Sequence, residues 1–324
     1  MILVLTDKFD VHADSVIQRL RDCGADCTRL NLDADSLMIT SITGRCSTWR
    51  VNQGGITIDF SSVKAVWARR LTVSEALEQK LTTQSAGYSI WKGEWNRHLF
   101  GIYASLRSLP WINPIANSAL CDNKLYQFEM ASAAGFQIPD FICSNEHDVL
   151  REFISHHGAA AVKFLSQDTY RDHSGRFVGL YVNRLTVDDV EDFKETHENP
   201  IIAQRYVEKK YEVRYTFVDG NGFCCLIDSQ KSARANIDWR RYDLPSTPHH
   251  SMDAPDHIHA KAINLMQTLG LVYGAFDFVV DTDDNWWYLE VNSAGQWLWI
   301  EDLTGLPISA AVVDALIRRS RGVL

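Results

Sequence analysis

Residues 271–302, LVYGAFDFVVDTDDNWWYLEVNSAGQWLWIED, constrain this chain more than any other stretch. A β-branched and aromatic run at 275–280 and a second at 286–291 flank Asp281-Thr282-Asp283-Asp284-Asn285, which predicts two strands joined by a polar turn. Residues two apart on a strand share a face, so Glu290 and Asn292 point the same way, and a hairpin brings Asp277 beside them. Any one of the three reads equally well as a solvent-facing polar residue. Together, amid apolar neighbours, they call for a partner or a metal. Hard oxygen ligands of this kind suit Mg²⁺.

A chain of 324 residues buries a sizeable core and divides into two or three domains or subdomains. With 46% hydrophobic and 23% charged residues it reads as a soluble globular protein, and a net charge of −9 argues against broad nucleic-acid binding. Its seven cysteines are scattered, with Cys224 and Cys225 adjacent and no CxxC pair, so free thiols in a reducing cytoplasm are expected. There is no apolar run of spanning length and no signal-peptide pattern at the start, so no membrane association is expected.

The opening reads as an open α/β unit: strands at 1–5, 27–32 and 63–68, a helix at 11–23, and short strands within 36–60. No GxGxxG follows the first strand, which argues against a dinucleotide fold. A helix at 91–109 places Trp91, Trp95, Leu99, Ile102 and Leu106 on one face as core packing. Pro114 closes this unit. Next comes a helix carrying Lys124, capped by Asp122 and ended by Gly135. Lys163 sits in the apolar strand 159–165, where it either snorkels or meets an anion. Gln204-Arg205-Tyr206-Val207 ends a strand at 201–207, followed by Glu212 and Arg214 on one face. By itself this reads as an ordinary edge strand of alternating charge. The long polar segment KSARANIDWRRYDLPSTPHHS carries Asp238, Trp239 and Arg240, either as a solvated loop or as a clamp for oxyanions. His249, His250, His257 and His259 fit no standard zinc spacing.

D-F-(apolar)3-D, a turn and LEVN resemble the metal end of an ATP-grasp enzyme. AGQWLWIEDLTGLPI, the NP of 113–114, Lys124 and D-W-R of 238–240 resemble the graspetide (microviridin-type) synthetases. That resemblance implies an α/β ATP-grasp fold in three parts: a pre-ATP-grasp domain (1–113), a central subdomain with lid (114–203) and a C-terminal subdomain with the metal site (204–324). It implies ATP and Mg²⁺, two ions, with Asp277, Glu290 and Asn292 as metal ligands. Nucleotide contacts fall to Lys124, Lys163, Gln204, Arg205, Tyr206, Val207 and Glu212, and catalytic roles to Lys163, Arg214 and Arg240. The lid loop of such enzymes is glycine-rich, whereas SQDTYRDHSGR has one glycine, leaving Arg171, His173 or Arg176 to substitute. The implied partner is a ribosomal precursor peptide with leader and core, cross-linked as lactone or lactam by a cytoplasmic enzyme that forms a homodimer. Two rivals stand beside this: a ligase acting on free amino acids or a protein tail, and a nucleotide-binding module without catalysis.

Overall fold

The computed structural model describes residues 1–45, 48–75, 85–163, 170–171, 177–178, 182–190, 199–232, 237 and 246–323. Parallel pairing dominates the first unit. Strand β1 (Ile2–Thr6) leads to α1 (Val11–Asp22), β2 (Cys27–Asn31) and α2 (Ala34–Met38). A meander follows, β3 (Thr40–Arg45), β4 (Thr48–Gln53) and β5 (Ile56–Asp59), then β6 (Ala65–Ala68), α3 (Ala86–Ser105) and β7 (Trp111–Ile112). The sheet runs β2-β1-β6-β7, all parallel, with β3–β5 forming a separate antiparallel sheet. Buried β1 is apolar on both faces, as a parallel strand covered on both sides must be. One face packs on α3 through Leu99, Ile102 and Leu106, with Trp91 and Trp95 at its margin. The other packs on α1 and, across the molecule, on C-terminal elements.

The middle of the chain contributes α4 (Ile115–Cys121), α5 (Lys124–Ala133), β8 (Phe141–Ser144), α6 (His147–His157) and β9 (Ala160–Lys163). Then come β10 (Tyr170–Arg171), β11 (Phe177–Val178), β12 (Asn183–Leu185), α7 (Val187–Val190) and β13 (Ile201–Arg205). Strands β12-β9-β13-β8 form an antiparallel sheet backed by α6 and α7. Helix α5 departs from this grouping: Cys121, Phe128 and Ala131 pack with the C-terminal sheet. Its N-cap also differs from expectation. Asn123, not Asp122, accepts the Tyr126 N–H at 3.1 Å, because Asp122 still closes α4 one residue earlier.

The last unit holds β14 (Lys209–Val218), β15 (Asn221–Ile227), β16 (His249–Met252), α8 (Asp256–Leu269), β17 (Tyr273–Asp281), β18 (Trp286–Asn292), α9 (Leu298–Thr304) and α10 (Ile308–Ser320). Sheet order is β16-β15-β14-β17-β18, antiparallel throughout. Phe276, Phe278, Val213, Tyr215 and Tyr288 face α5 and α8 in one core. On the reverse face, Tyr273 and Ala275 join α1, α10 and Trp297. The expected hairpin is present, with one irregularity. Asp277 stands opposite Glu290, but Phe278 stands opposite Tyr288, so Leu289 is an extra residue, a β-bulge. Because of it, Tyr288 and Val291 lie in the same helix-facing core although three apart in sequence.

Candidate active site

The bulge decides what the reverse face of the sheet carries. Strict alternation from Tyr288 would send Glu290 towards α5 and α8; the added residue turns Glu290 and Asn292 to the face of Asp277, Glu212 and Arg214 instead. On that face buried carboxylates meet buried cations. Arg214 Nε lies 2.9 Å from Asp277 Oδ1. Lys124, the first residue of α5, donates from Nζ to Glu290 Oε2. Lys209 Nζ lies 2.9 Å from Glu212 Oε1, which also accepts from Ser229 Oγ at 2.8 Å. Asn292 Nδ2 donates to Glu290 Oε1 at 3.1 Å. Such pairing is the condition on which buried charge is tolerated.

Gln127, one turn after Lys124 on α5, keeps β18 in place. Its Oε1 accepts from the Val291 N–H at 3.0 Å and from Tyr288 Oη at 3.1 Å, while its Nε2 donates to the Val291 carbonyl at 3.0 Å. A side-chain amide thus completes the edge of β18 where a further strand would pair. Sequence reading passed over Gln127. The i, i+3 spacing from Lys124 was the available signal.

The segment after β18 is fixed by the first unit. Asn113 saturates its buried amide: Oδ1 accepts from the N–H groups of Val272 (2.7 Å) and Tyr273 (2.9 Å), and Nδ2 donates to the carbonyls of Tyr273 (2.7 Å) and Ser293 (2.8 Å). Arg69 donates to the Ala294 and Gly295 carbonyls at 2.8 and 3.3 Å and to Asp10 Oδ2 at 3.1 Å, with its guanidinium 5.1 Å from the Trp297 ring centroid. His12 Nε2 accepts from the Trp297 and Leu298 N–H groups at 3.1 and 3.3 Å, which places the ring proton on Nδ1, 3.5 Å from Asp10 Oδ1. Gly295 is required by close approach: a Cβ there would fall 2.4 Å from Ala275 Cβ.

Burial opposes the Asp10 charge, yet the His12 hydrogen bond and the Arg69 charge outweigh it and hold its carboxyl far below the usual range. A carboxyl depressed on folding stabilises the fold above its unfolded pKa, about 3.9, and that contribution is lost as pH falls further. We expect denaturation midpoints to fall between roughly pH 4 and pH 2, by on the order of 2 kcal/mol from this group. Asp10→Asn should start less stable and lose that part of the slope; an unchanged acid profile would remove Asp10 as its source.

The strand β13 and its exit hold the residues expected to meet a nucleotide. Lys163 Nζ donates to Gln204 Oε1 at 3.0 Å, so the two named positions are neighbours. Gln204 is buried, and its Nε2 reaches the Pro139 carbonyl at 3.4 Å. The N–H groups of Arg205 and Tyr206 already donate to the carbonyls of Asp140 (2.7 Å) and Ala159 (3.1 Å). Arg205 stacks on Trp287 at 4.5 Å, and Arg184 on Tyr206 at 5.0 Å. Val207 is buried.

Arg240, with Asp238, Trp239, His173 and Arg176, lies outside the described residues, as does the side chain of Arg171. Three buried thiols are not activated: burial pushes Cys121 and Cys225 up to about 12, and Cys224 higher still. His259 pairs with the Tyr215 hydroxyl, and His249 packs edge-on against Trp299. Among the described residues no three His, Cys, Asp or Glu side chains converge on one metal position. A metal here would therefore draw on Asp277, Glu290 and the Asn292 amide. Two carboxylates and an amide are hard oxygen donors of the kind Mg²⁺ takes, and the positive charge that Arg214 and Lys124 now bring to the carboxylates shows the site to be one that holds cations.

The first 119 residues match the family model of the MvdD pre-ATP grasp domain. The whole chain resembles solved ATP-grasp ligases. Macrocyclase MdnC of Microcystis aeruginosa MRC, solved with precursor peptide MdnA, is 25% identical with a TM-score of 0.86, over 98% of this chain and 99% of that one. Macrocyclase MdnB of the same organism is 27% identical with a TM-score of 0.77, over 98% of both chains. A RiPP-associated ATP-grasp ligase of Chryseobacterium gregarium, solved with ADP and a leader and core peptide, is 24% identical with a TM-score of 0.86, over 98% and 96%. Among curated proteins no sequence matches. No helix among the described residues is long and apolar enough to cross a membrane.

Proposed function

We propose that this chain, an ATP-grasp ligase of the graspetide synthetase branch, cross-links a ribosomal precursor peptide. It activates Asp or Glu side chains as acyl-phosphates and joins them to Ser/Thr hydroxyls or a Lys amine, leaving ω-esters or ω-amides, ADP and phosphate. The observation that carries the reading is the reverse face of the C-terminal sheet, where buried Asp277 and Glu290 each face a cation, with Asn292 beside them. In this reading Asp277, Glu290 and Asn292 hold Mg²⁺, two ions, which supplies positive charge to the nucleotide phosphates. Lys124, Lys163 and Arg214 exchange their present partners for phosphate oxygens and balance the charge that shifts on transfer.

Gln204 meets the adenine amine in this reading, and Glu212 the ribose hydroxyls. With two hinge N–H groups committed elsewhere, backbone pairing falls to the Arg205 carbonyl and the Val207 N–H. Arg240 holds the peptide carboxylate. The partner carries leader and core segments, by likeness to the peptide-bound relatives, and both ATP and ribosomal peptide place the reaction in the cytoplasm.

Mass spectrometry of the precursor peptide encoded beside the gene tests the reading: one water should be lost per bond formed, only with ATP. Arg240→Ala should reduce cross-linking roughly 100-fold while calorimetry finds nucleotide affinity near the parent's. Loss of nucleotide binding as well would move Arg240 to the phosphates. Ligation of a free amino acid with the peptide untouched would replace the substrate.

A further inference from the structure

The last strand of the C-terminal sheet, β18, carries two of the three residues assigned to the metal, and the bulge interrupts it just before the first of them. An extra residue disrupts the ladder locally, so pairing with β17 does not by itself fix where Glu290 and Asn292 stand. The outer edge of β18 supplies the restraint, from the stretch 124–137. On one side of Leu289 the Gln137 carbonyl accepts from the Tyr288 N–H at 2.8 Å. On the other side stands Val291, between Glu290 and Asn292, and Gln127 takes both of its backbone groups at 3.0 Å. Gln127 is 3% exposed and its amide is saturated: Oε1 accepts from the Val291 N–H and from Tyr288 Oη, and Nε2 donates to the carbonyls of Val291 and Cys121. Just past Asn292, the Ser293 carbonyl accepts from buried Asn113. Asn292 is therefore flanked by two residues whose backbone is held by buried side-chain amides.

We infer that Gln127 is a positioning residue for the metal: it fixes Glu290 and Asn292 relative to the Lys124 ammonium, so that cation and phosphates meet in one registry. The inference rests on the reading above, in which Lys124 moves from Glu290 to phosphate oxygens. Gln127 follows Lys124 by three residues, so the two side chains leave the start of α5 on the same side. The helix is itself anchored through Phe128 and Ala131 in the core that holds Phe276, Phe278 and Tyr288. Lys124 changes partner when phosphate arrives. Gln127 does not, because its bonds go to backbone groups and a core hydroxyl, none of them charged. The strand thus keeps its place while the charge upon it is redistributed. Val291 presents one donor and one acceptor, and an amide offers the complementary pair at fixed spacing. A carboxylate would set negative charge against two carbonyl oxygens, and a methionine would leave both groups of Val291 unpaired in the core. Without the clamp, Glu290 and Asn292 are free to shift about the bulge. Mg²⁺ tolerates little departure from octahedral geometry, so donors that must be brought back to it bind the ion less tightly.

Calorimetry of ADP binding with and without Mg²⁺ separates this role from core packing. In Gln127→Met the affinity for MgADP should fall roughly 10–100-fold, while that for ADP without metal stays within about threefold of the parent's. Tyr288→Phe removes the other hydrogen bond to Gln127 Oε1 and leaves Val291 paired, so it should bind MgADP within about threefold of the parent. Gln127→Asn keeps the amide but falls one methylene short of Val291; it should weaken MgADP in the same direction, and it decides the matter if the methionine variant does not fold. Parental MgADP affinity in the folded variant overturns the inference. So does an equal loss with and without metal, or a loss in Tyr288→Phe as large as that in Gln127→Met. If the parent itself binds ADP no better with Mg²⁺ than without, the metal reading fails, and the role of Gln127 with it.

Discussion

Glu290→Gln will lower peptide-dependent ADP formation by roughly 10²–10³-fold while leaving the chain folded. Glu290 is buried on the site face, receives Lys124 and Asn292, and owes its direction to the Leu289 bulge. Glutamine fills the same volume and keeps one oxygen for Lys124, so the buried ammonium retains a hydrogen-bond acceptor. What it loses is the negative charge that balances Lys124 and that the proposed Mg²⁺ would draw on. The cost to stability should be about 1–3 kcal/mol, visible as a lower denaturation midpoint. Coupled assay of ADP release, with circular dichroism to confirm the fold, decides the matter. Turnover at the parental rate would put the metal site elsewhere.

Arg214→Ala will show a different signature. Asp277 is buried and lies 2.9 Å from the Arg214 guanidinium. Removing that partner takes away the charge that balances a buried carboxylate, which costs about 3–5 kcal/mol in typical buried pairs. Cross-linking should fall by roughly two orders of magnitude or more. The informative measurement is thermal unfolding with and without MgADP. A divalent cation beside Asp277 restores the missing charge, so MgADP should raise the variant's midpoint by more than the parent's. An equal increment in both proteins would remove Asp277 from the cation site.

The hairpin, the parallel opening sheet and the side-by-side placement of Asp277, Glu290 and Asn292 were legible in the sequence, because β-branched runs, polar turns and alternation are local signals. The bulge was not read, although Tyr288 and Val291, apolar and three apart, recorded the break in alternation. The ion-pair partners lay beyond reach as well. That Lys124 meets Glu290, 166 positions away, depends on α5 packing on β18, and no local pattern carries that. The bracing of 293–298 by Asn113, Arg69, Asp10 and His12 was hidden for the same reason, since each residue alone reads as an ordinary surface polar group.

For the way such a chain tolerates change, the Leu289 bulge acts like a reading frame laid over the strand. Substituting Leu289 by another apolar residue leaves the phase of β18 intact and should be mild. Deleting it removes the bulge and makes Glu290 the direct neighbour of core-facing Tyr288, so regular alternation leaves Glu290 and Asn292 on the site face and Val291 in the core. What the site depends on is thus the parity of the strand on either side of the bulge: a chain shortened by Leu289 alone should keep its function, whereas a one-residue slip that retains the bulge should not.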